Sequence, residues 1–292
     1  MSVNPEAPIG VIAGNGRLPA EVLHALQRRG RSCFVLALKG EADQESLKAY
    51  TPHWYSWGQI GGMLDALKAA GCRELALVGG VANRPDFLSI VGDIGTIRRI
   101  PKIVKAMTGG DDSLLRRVIG LIEEEGFLVR GLGHLAPELL AVEGNLSALS
   151  VDEASQQDID VGLSAIQQMG SLDIGQALVV INRRIVAVEA AEGTDAMLQR
   201  VADLRQSKRI GIKGQRGVLV KAAKPGQELR VDLPTIGPKT LAVAKAAQLS
   251  GIAVEAGRVL IVDRDSAIEK ADQSGLFLSG CLLKRGGSRN HE

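Results

Sequence analysis

Short apolar runs separated by amphipathic stretches dominate the first half of the chain. PIGVIA (8–13), CFVLAL (33–38) and ELALVGG (74–80) have the length of buried strands, and the segments near 18–29 and 59–70 have helical periodicity. Strands that alternate with helices in this way form parallel βαβ units. We therefore predict an α/β fold that begins with a Rossmann-like parallel sheet and binds ligands beyond the carboxyl ends of its strands.

The second half of the chain has a mixed pattern. Segment 176–190 predicts two strands joined by a hairpin turn at Asn182-Arg183-Arg184, and segment 252–263 is a second hairpin candidate. We predict a Rossmann-like nucleotide- or phosphate-binding domain over residues 1–145 and a mixed α/β domain over residues 146–292. Helical patterns in this half cover 152–169, 194–206 and 238–249.

Charge and composition exclude several classes of protein. The 35 Lys and Arg residues nearly balance the 33 Asp and Glu residues, and only 3% of residues are aromatic, which disfavours nucleic-acid binding. No apolar run reaches the roughly 18–20 residues of a membrane span. Three scattered cysteines and four scattered histidines indicate neither a disulfide framework nor a zinc site. We expect a cytoplasmic protein whose metal, if it binds one, is a hard cation held by oxygen atoms.

A glycine-rich segment, GNGRLP (14–19), directly follows the first strand. Its glycines allow backbone N–H groups to approach a phosphate, and the start of the next helix favours an anion. The dinucleotide fingerprint G-x-G-x-x-G fails here because Pro19 occupies the third glycine position. A tight turn with no ligand is the alternative. The predicted substrate-binding residues are Gly14, Asn15, Gly16, Arg17 and Leu18.

A second glycine segment, GGVANRP (79–85), follows the ELALV strand. In a parallel sheet it lies at the same edge as segment 14–19, so we predict that Asn83 and Arg84 bind substrate. An ordinary turn would explain the pattern equally well.

Paired carboxylates stand beside glycines in TGGDD (108–112). Gly110, Asp111 and Asp112 are predicted to contact substrate, through Mg²⁺ or sugar hydroxyls. The alternative is that Asp112 only caps the helix that follows it.

Three carboxylates fall within the segment EAAEGTD (189–195), where a strand meets a helix. Thr194 and Asp195 are therefore candidates for binding substrate hydroxyls or a metal. Either of them could instead serve only as the helix cap.

A loop stiffened by two prolines follows the KPGQ turn (224–227) and has the sequence RVDLPTIGP (230–238). Lys224 and Arg230 are suited to phosphate oxygens, and Asp232 to a metal or to proton transfer. Gln227 and Thr235 complete the predicted substrate-binding residues. A surface turn with solvated charges is the alternative.

These motifs together resemble the LpxI-type UDP-2,3-diacylglucosamine pyrophosphatases of bacterial lipid A synthesis, over roughly residues 8–280. The resemblance is carried by seven stretches in the same order. They are IAGNGRLP (12–19), GGDDSLLRRVI (109–119), LDIGQALVV (172–180), VEAAEGTDAML (188–198), KPGQ (224–227), RVDLPTIGP (230–238) and GIAVEAG (251–257).

The resemblance implies Mg²⁺-dependent hydrolysis of UDP-2,3-diacylglucosamine to UMP and 2,3-diacylglucosamine 1-phosphate. The family's essential aspartate falls on Asp232, which would be the catalytic residue and a metal ligand. Glu228 stands where the family often has aspartate. The resemblance also implies a lipid site between the two domains and transient contact with the inner-membrane surface, and it leaves the oligomeric state open.

Two functions of other classes remain as alternatives. One is an NAD-dependent nucleotide-sugar oxidoreductase, against which Pro19 counts because it removes the third glycine of the fingerprint. The other is a nucleotide-binding regulator without enzymatic activity, which would bind UMP without turnover.

Overall fold

The computed structural model describes residues 7–81, 93, 95–97, 111–172, 174–210 and 214–283. By its internal contacts the chain divides into two compact units. One unit comprises Met1–Glu138 together with Glu228–Asp232, and the other comprises Leu139–Gln227 and Leu233–Glu292. Each unit has its own sheet.

The N-terminal unit contains a five-stranded sheet in which every neighbouring pair of strands is parallel. The strand order is β3-β2-β1-β4-β5, which is Rossmann-like and confirms the predicted fold class. The strands are β1 (Ile9–Ala13), β2 (Cys33–Leu38), β3 (His53–Tyr55), β4 (Glu74–Val78) and β5 (Leu128–Val129). The described helices of this unit are α1 (Leu18–Arg28), α2 (Gln44–Leu47), α3 (Ile60–Ala69), α4 (Asp111–Glu124) and α5 (Leu132–Leu135).

The C-terminal unit contains a mixed six-stranded sheet, as predicted, and a separate pair of short parallel strands. The strand order of the larger sheet is β6-β13-β11-β9-β7-β8, and β10 pairs with β12. The strands are β6 (Gly144–Asn145), β7 (Ala177–Ile181), β8 (Arg184–Val188), β9 (Val218–Lys221), β10 (Thr235–Ile236), β11 (Gly251–Glu255), β12 (Leu260–Ile261) and β13 (Phe277–Cys281). The described helices of this unit are α6 (Glu153–Met169), α7 (Thr194–Gln206), α8 (Pro238–Ala246) and α9 (Arg264–Ser274).

Alternation along the central strands sends side chains into two separate hydrophobic clusters of the C-terminal unit. Val218 and Val220 of β9 pack with apolar side chains of α6 on one face. Leu219, between them, packs on the other face with residues of α7, α8 and α9. Both faces of the sheet are therefore covered by helices, which explains why its strands are continuous apolar runs.

One of the two hairpin predictions is confirmed. Strands β7 and β8 are antiparallel neighbours, and the turn residues Asn182 and Arg183 have φ values of 51° and 61°. Two left-handed residues between two strands are typical of a type I′ turn. The Asp158 carboxylate on α6 accepts hydrogen bonds from both turn amides.

The hairpin predicted over 252–263 is wrong. Strand β11 belongs to the six-stranded sheet, whereas β12 pairs in parallel with β10. The backbone amides between the two strands bond elsewhere: Ala256 N donates to Cys281 O and Gly257 N donates to Ala141 O. These bonds commit the connecting segment to other strands and loops, so the chain leaves one sheet for another.

Helix α6 packs so closely on β9 that one of its positions has no room for a side chain. A Cβ atom at Gly162 would lie 2.5 Å from Val220 Cγ2 and 3.2 Å from Leu178 Cδ1. Gly120 on α4 is also inside a helix, but a Cβ atom there would meet nothing within 4 Å. Replacing each of these two glycines by alanine therefore separates the effect of the close contact between α6 and β9 from that of helix propensity.

We expect Gly162→Ala to lower the free energy of unfolding by about 1–3 kcal/mol, because overpacking forces the helix and strand apart. The matched control Gly120→Ala should raise it by up to about 1 kcal/mol through the higher helix propensity of alanine. Denaturant unfolding of both variants measures the difference. Equal stability of the two variants would contradict the close packing of α6 on β9.

A buried carboxylate joins three segments of the N-terminal unit. Glu74, the first residue of β4, is 5% exposed. Its carboxylate accepts a hydrogen bond of 2.9 Å from Arg31 and another from Arg130. Burial alone would raise the pKa of Glu74, but the hydrogen bonds and charges of the two guanidinium groups lower it overall. The ionised form therefore stabilises the fold.

Because the pKa of Glu74 is depressed in the folded state, its contribution is present above the ordinary glutamate value of 4.5 and is lost as the pH falls through the folded pKa. We expect Glu74→Gln to lower the free energy of unfolding at pH 7 by about 1–3 kcal/mol. The variant should lose less stability than the wild type between pH 7 and pH 3. Glu45→Gln is the control, because Glu45 is exposed and forms an ion pair with Lys48 three positions along the chain. It should change neither the free energy of unfolding at pH 7 nor the loss of stability on acidification. If Glu74→Gln lost as much stability as the wild type between pH 7 and pH 3, the stabilising role of the ionised Glu74 carboxylate would be refuted.

Candidate active site

The loops that follow β1 and β4 lie side by side and are joined by backbone hydrogen bonds. Gly14 N donates to Val78 O at 2.8 Å, and Asn15 N donates to Gly80 O at 2.7 Å. Gly80 N returns a hydrogen bond of 3.2 Å to Asn15 O. The two glycine segments singled out in the sequence therefore share the carboxyl edge of the parallel sheet, where such folds bind ligands.

The pairing of the two loops explains the glycine at position 14. It also determines which backbone amides of the loop after β1 remain available to an anion. A Cβ atom at Gly14 would lie 2.4 Å from Gly80 O, so only glycine allows the loops to approach this closely. The amides of Gly14 and Asn15 are occupied by the second loop, so they are not phosphate donors. The anion-binding potential shifts to the exposed turn at Gly16, where φ is 88°, and to the start of α1 at Leu18.

Helix α1 begins without a side-chain cap. Its N-cap is Arg17, which is exposed, and Pro19 lies in the first turn. Proline is favoured there because it has no N–H group to leave unpaired. Pro19, which replaces the third glycine of the dinucleotide fingerprint, is therefore a residue that favours the start of α1.

Several predicted site residues cannot be placed beside these loops. Asn83, Arg84 and Gly110 lie outside the described residues. Helix α4 begins at Asp111, so Asp112 is the second residue of the helix, and the interpretation of Asp112 as its cap is wrong.

In the C-terminal unit, a buried lysine closes strand β9. Lys221 is 6% exposed, and its ammonium group donates a hydrogen bond of 2.6 Å to Thr194 Oγ1. Thr194 Oγ1 in turn donates to Glu189 Oε1 at 2.6 Å, and Glu189 Oε2 accepts from Gln176 N at 3.1 Å. The strand–helix junction predicted from EAAEGTD is thus built around a cation that sequence analysis did not identify.

The KPGQ turn continues directly from this strand. Lys224 N donates to the side-chain oxygen of Gln227 at 2.9 Å, and Gln227 N donates back to Lys224 O at 3.2 Å. Both residues are about 8% exposed, and Gly226 has the positive φ that the turn requires. The buried Glu255 carboxylate, at the end of the neighbouring strand β11, accepts from Ala223 N at 3.0 Å.

The structure therefore brings three predicted residues, Thr194, Lys224 and Gln227, to the carboxyl edge of β9 and β11. It adds Lys221 and Glu255, which the sequence analysis missed. Their signal in the sequence is a single charged residue at the end of an otherwise apolar run, in GVLVK and GIAVE. Buried charges are rarely found unless they are paired, so such a position points to a defined network.

Asp195 lies in the first turn of α7 and forms an ion pair, and its contact with substrate stays a prediction. Gly193 is the N-cap of α7, so neither Thr194 nor Asp195 caps this helix. The Asp195 carboxylate pairs with the Lys239 ammonium at 2.9 Å, and this pairing raises the pKa of the exposed lysine. An exposed ion pair leaves Asp195 accessible and contributes little to stability.

The loop RVDLPTIGP contains an internal ion pair that fixes its first residues. The Arg230 guanidinium donates to both carboxylate oxygens of Glu228 at 2.8 Å and to Glu123 of α4 at 3.0 Å. Hydrogen bonds from Arg230 lower the pKa of Glu228, and those same bonds raise the pKa of Arg230 above its ordinary value. Arg230 is therefore a structural cation, contrary to its predicted suitability for phosphate oxygens.

The catalytic candidate follows this ion pair in the chain. Asp232 is half-buried, and its amide donates to Glu228 O at 3.0 Å. Segment Glu228–Asp232 belongs to the N-terminal unit by its contacts, whereas Thr235 belongs to the C-terminal unit. Thr235 Oγ1 donates to Leu233 O at 3.0 Å, which uses its hydroxyl within the loop.

Within the described part of the chain, no three His, Cys, Asp or Glu side chains come together as a metal-binding group. Glu189 and Glu228 accept hydrogen bonds, and Asp195 has a lysine partner. Asp232, together with oxygens of a bound ligand, would be suited to hold a hard cation. Mg²⁺ commonly binds one or two carboxylates together with substrate phosphates, so these residues are compatible with it.

The described helices include none that is both long enough and apolar enough to cross a membrane.

Known proteins of one family match nearly the whole chain. The model of the LpxI N-terminal domain matches residues 8–139, and that of the LpxI C-terminal domain matches residues 142–279. A relative from Caulobacter vibrioides, named UDP-2,3-diacylglucosamine pyrophosphatase LpxI, is 43% identical over 272 residues. The match covers 93% of this chain and 96% of the relative. The family resemblance is thereby confirmed, and the chain belongs to the LpxI family.

Proposed function

We propose that the protein hydrolyses the pyrophosphate of UDP-2,3-diacylglucosamine to UMP and 2,3-diacylglucosamine 1-phosphate in lipid A biosynthesis. The observation that carries this proposal is the end-to-end match, in which both LpxI domain models align in order over residues 8–279. The activity named for the Caulobacter relative, which is 43% identical, gives the substrate. The same match favours a hydrolase over the oxidoreductase and the non-enzymatic regulator.

In this reaction, water adds to one phosphorus and the bond from that phosphorus to the bridging oxygen breaks. The bridging oxygen leaves with the other phosphate, and the protons of the attacking water pass to solvent. Negative charge accumulates on oxygens around the reacting phosphorus, so fixed donors and cations in that region lower the barrier.

Each unit offers groups suited to holding phosphate oxygens. The turn at Gly16, Arg17 and the first amide of α1 offer donors and a positive helix end in the N-terminal unit. The Lys221 and Lys224 side chains supply cationic groups in the C-terminal unit, where both are largely buried. Burial reduces the screening of these charges by water, so they interact more strongly with a phosphate than surface lysines would.

Thr194 and Gln227 position the two lysines of the C-terminal unit. Thr194 links the Lys221 ammonium to the Glu189 carboxylate, and the Gln227 side chain closes the turn that carries Lys224. Asn83, Arg84, Gly110, Asp111, Asp112, Asp195 and Thr235 remain proposed substrate contacts.

Asp232 is the proposed catalytic residue and the proposed protein ligand for Mg²⁺. When bound, the cation would neutralise charge on the pyrophosphate oxygens. The ion pair of Glu228 and Arg230 supports Asp232 from two residues away and fixes the loop backbone before it.

We also propose that the reaction occurs in the cytoplasm with transient contact to the inner-membrane surface, because a substrate with two acyl chains partitions strongly into lipid. The location of the acyl chains, which the resemblance implies lies between the two domains, stays a prediction.

We expect Asp232→Asn to reduce kcat by about 10²–10⁴-fold, since it removes the carboxylate charge and keeps the shape of the side chain. Asp203→Asn is the control, because Asp203 is an exposed carboxylate that accepts a bond from Gln199 on its own helix. The control should retain its rate, and both variants should unfold at the wild-type temperature. A near-normal rate in Asp232→Asn would remove Asp232 from the catalytic role.

The same variant tests the substrate. Lipid extracts of purified Asp232→Asn should contain a UDP-linked diacylated glucosamine by mass spectrometry, because a binding-competent protein that cannot turn over retains its substrate. Wild-type protein should instead carry the diacylated glucosamine phosphate. A nicotinamide nucleotide in either extract, without the lipid, would favour the oxidoreductase.

Hydrolysis should stop when EDTA removes divalent cations and should return when Mg²⁺ is added in excess. The physical reason is that negative charge grows on the oxygens of an already charged pyrophosphate as water attacks, and a hard cation bound to those oxygens neutralises it. Ca²⁺ at the same concentration is the control for ionic strength. Full activity in excess EDTA would refute the proposed metal dependence.

A further inference from the structure

A cavity of about 370 Å³ opens at the carboxyl ends of β2 and β3 in the N-terminal unit. It is a shallow depression open to solvent, and its volume lies at the lower end of the range for small-molecule sites. It shares no residue with the site predicted from the motifs. It is lined by Lys39, Gly40, Ala42, Gln44 and Trp54.

The strand order puts this cavity beside the glycine loop of the candidate active site. Strand β2 is the direct neighbour of β1, and β3 lies one strand further. Neighbouring strands are about 4.8 Å apart, so the cavity begins within about 10 Å of the loop after β1. The Tyr50 hydroxyl donates to Ala20 O at 3.2 Å and ties the β2–β3 connection to the first turns of α1.

Alternation along β3 determines which face the tryptophan occupies. Tyr55 packs with Met63 and Leu67 of α3 on one face of the sheet. Trp54, one residue earlier, therefore points to the opposite face. Its ring is only partly buried and lines the cavity, so one surface of the indole remains available to a ligand.

The polar groups of the cavity match a nucleoside. The exposed Gln44 amide offers both a donor and an acceptor, which is the pattern of the uracil edge. Lys39 supplies a cation at the rim, and Gly40, with a φ of 83°, leaves the rim without a side chain. The Asp43 carboxylate does not compete for the ligand, because it caps α2 through the amide of Glu45.

We propose that this cavity binds the uridine of the substrate, with the uracil ring stacked on Trp54 and its edge hydrogen-bonded to Gln44. The inference rests on the proposed function, which supplies a uridine nucleotide. The cavity is too polar at its rim for acyl chains. Its single cation also makes it a poor site for a pyrophosphate, which is better served by the neighbouring loop.

Tryptophan fluorescence tests the site directly, because Trp54 and Trp57 are the two tryptophans of the chain. In Trp57→Phe, Trp54 is the sole tryptophan, and UMP should quench its emission saturably. Uridine should do so at higher concentration, and inorganic phosphate should not. In the matched control Trp54→Phe, UMP should leave the emission of Trp57 unchanged. If Trp57→Phe does not fold, wild-type protein compared with Trp54→Phe gives the same contrast.

A kinetic measurement separates stacking from a structural role of the tryptophan. Loss of the stacked ring in Trp54→Ala should weaken UMP binding and raise KM by on the order of tenfold or more, while Trp54→Phe recovers most of the affinity. The turnover number should change much less, because the ring does not touch the reacting phosphorus. Gln44→Ala should raise KM for the uridine substrate in the same direction.

The possible outcomes test the uridine site and the proposed hydrolysis separately. UMP-dependent quenching of Trp54 supports the cavity even in a protein that shows no hydrolysis, a result that would contradict the proposed function alone. Hydrolysis with an unchanged KM in both Trp54→Ala and Gln44→Ala would overturn the cavity assignment and leave the proposed function standing. Quenching of Trp57 instead of Trp54 would also overturn it.

Discussion

The pairing of two backbone segments at the carboxyl edge of the N-terminal sheet is the constraint on which the candidate site depends. Gly14 and Asn15 exchange hydrogen bonds with the residues after β4, and this requires glycine where the two chains approach most closely. Strand β1 lies at the centre of the sheet between β2 and β4, and the loop that follows it is bonded to the loop after β4. The start of α1 is thereby fixed as the rigid positive end that a phosphate would meet.

In the C-terminal unit, side chains rather than backbone groups supply the candidate phosphate-binding groups. Lys221, Lys224 and Glu255 lie at the ends of adjacent parallel strands, and all three are buried. Such groups are costly to bury without partners. The Lys221 ammonium donates to the Thr194 hydroxyl, and the Glu255 carboxylate accepts from Ala223 N and pairs with Arg258 at 3.6 Å. The network therefore holds cations in place before a ligand arrives, so little reorganisation is needed when charge develops on a bound phosphate.

Much of the fold could be predicted because its signals are local. The apolar runs predicted β1, β2 and β4 of the parallel sheet and β7, β8 and β11 of the mixed sheet, whereas β6 and β13 were not predicted. Asn182-Arg183 predicted a hairpin turn that needs two left-handed residues. The 252–263 prediction failed because alternation cannot reveal which sheet a strand joins. That choice depends on distant acceptors such as Cys281 O and Ala141 O.

The site was harder to predict than the fold, for the same reason. Lys221 was missed because one charge after an apolar run has no periodicity, and its partner Thr194 lies in a different segment. Arg230 was assigned to phosphate because Glu123, which helps to hold it, is far away in sequence. The glycine turn GNGRLP could be located from sequence because its pattern is local, although the pairing that occupies two of its amides could not.

The most direct test of the account is the product analysis of purified protein with UDP-2,3-diacylglucosamine, followed by ³¹P NMR and mass spectrometry. The account predicts that the pyrophosphate signals disappear as two phosphomonoester signals grow in equal amounts, from UMP and 2,3-diacylglucosamine 1-phosphate. Release of UDP with free diacylglucosamine would show cleavage of the glycosidic bond instead and would contradict the account. Persistence of the pyrophosphate signals in the presence of Mg²⁺ would contradict it equally.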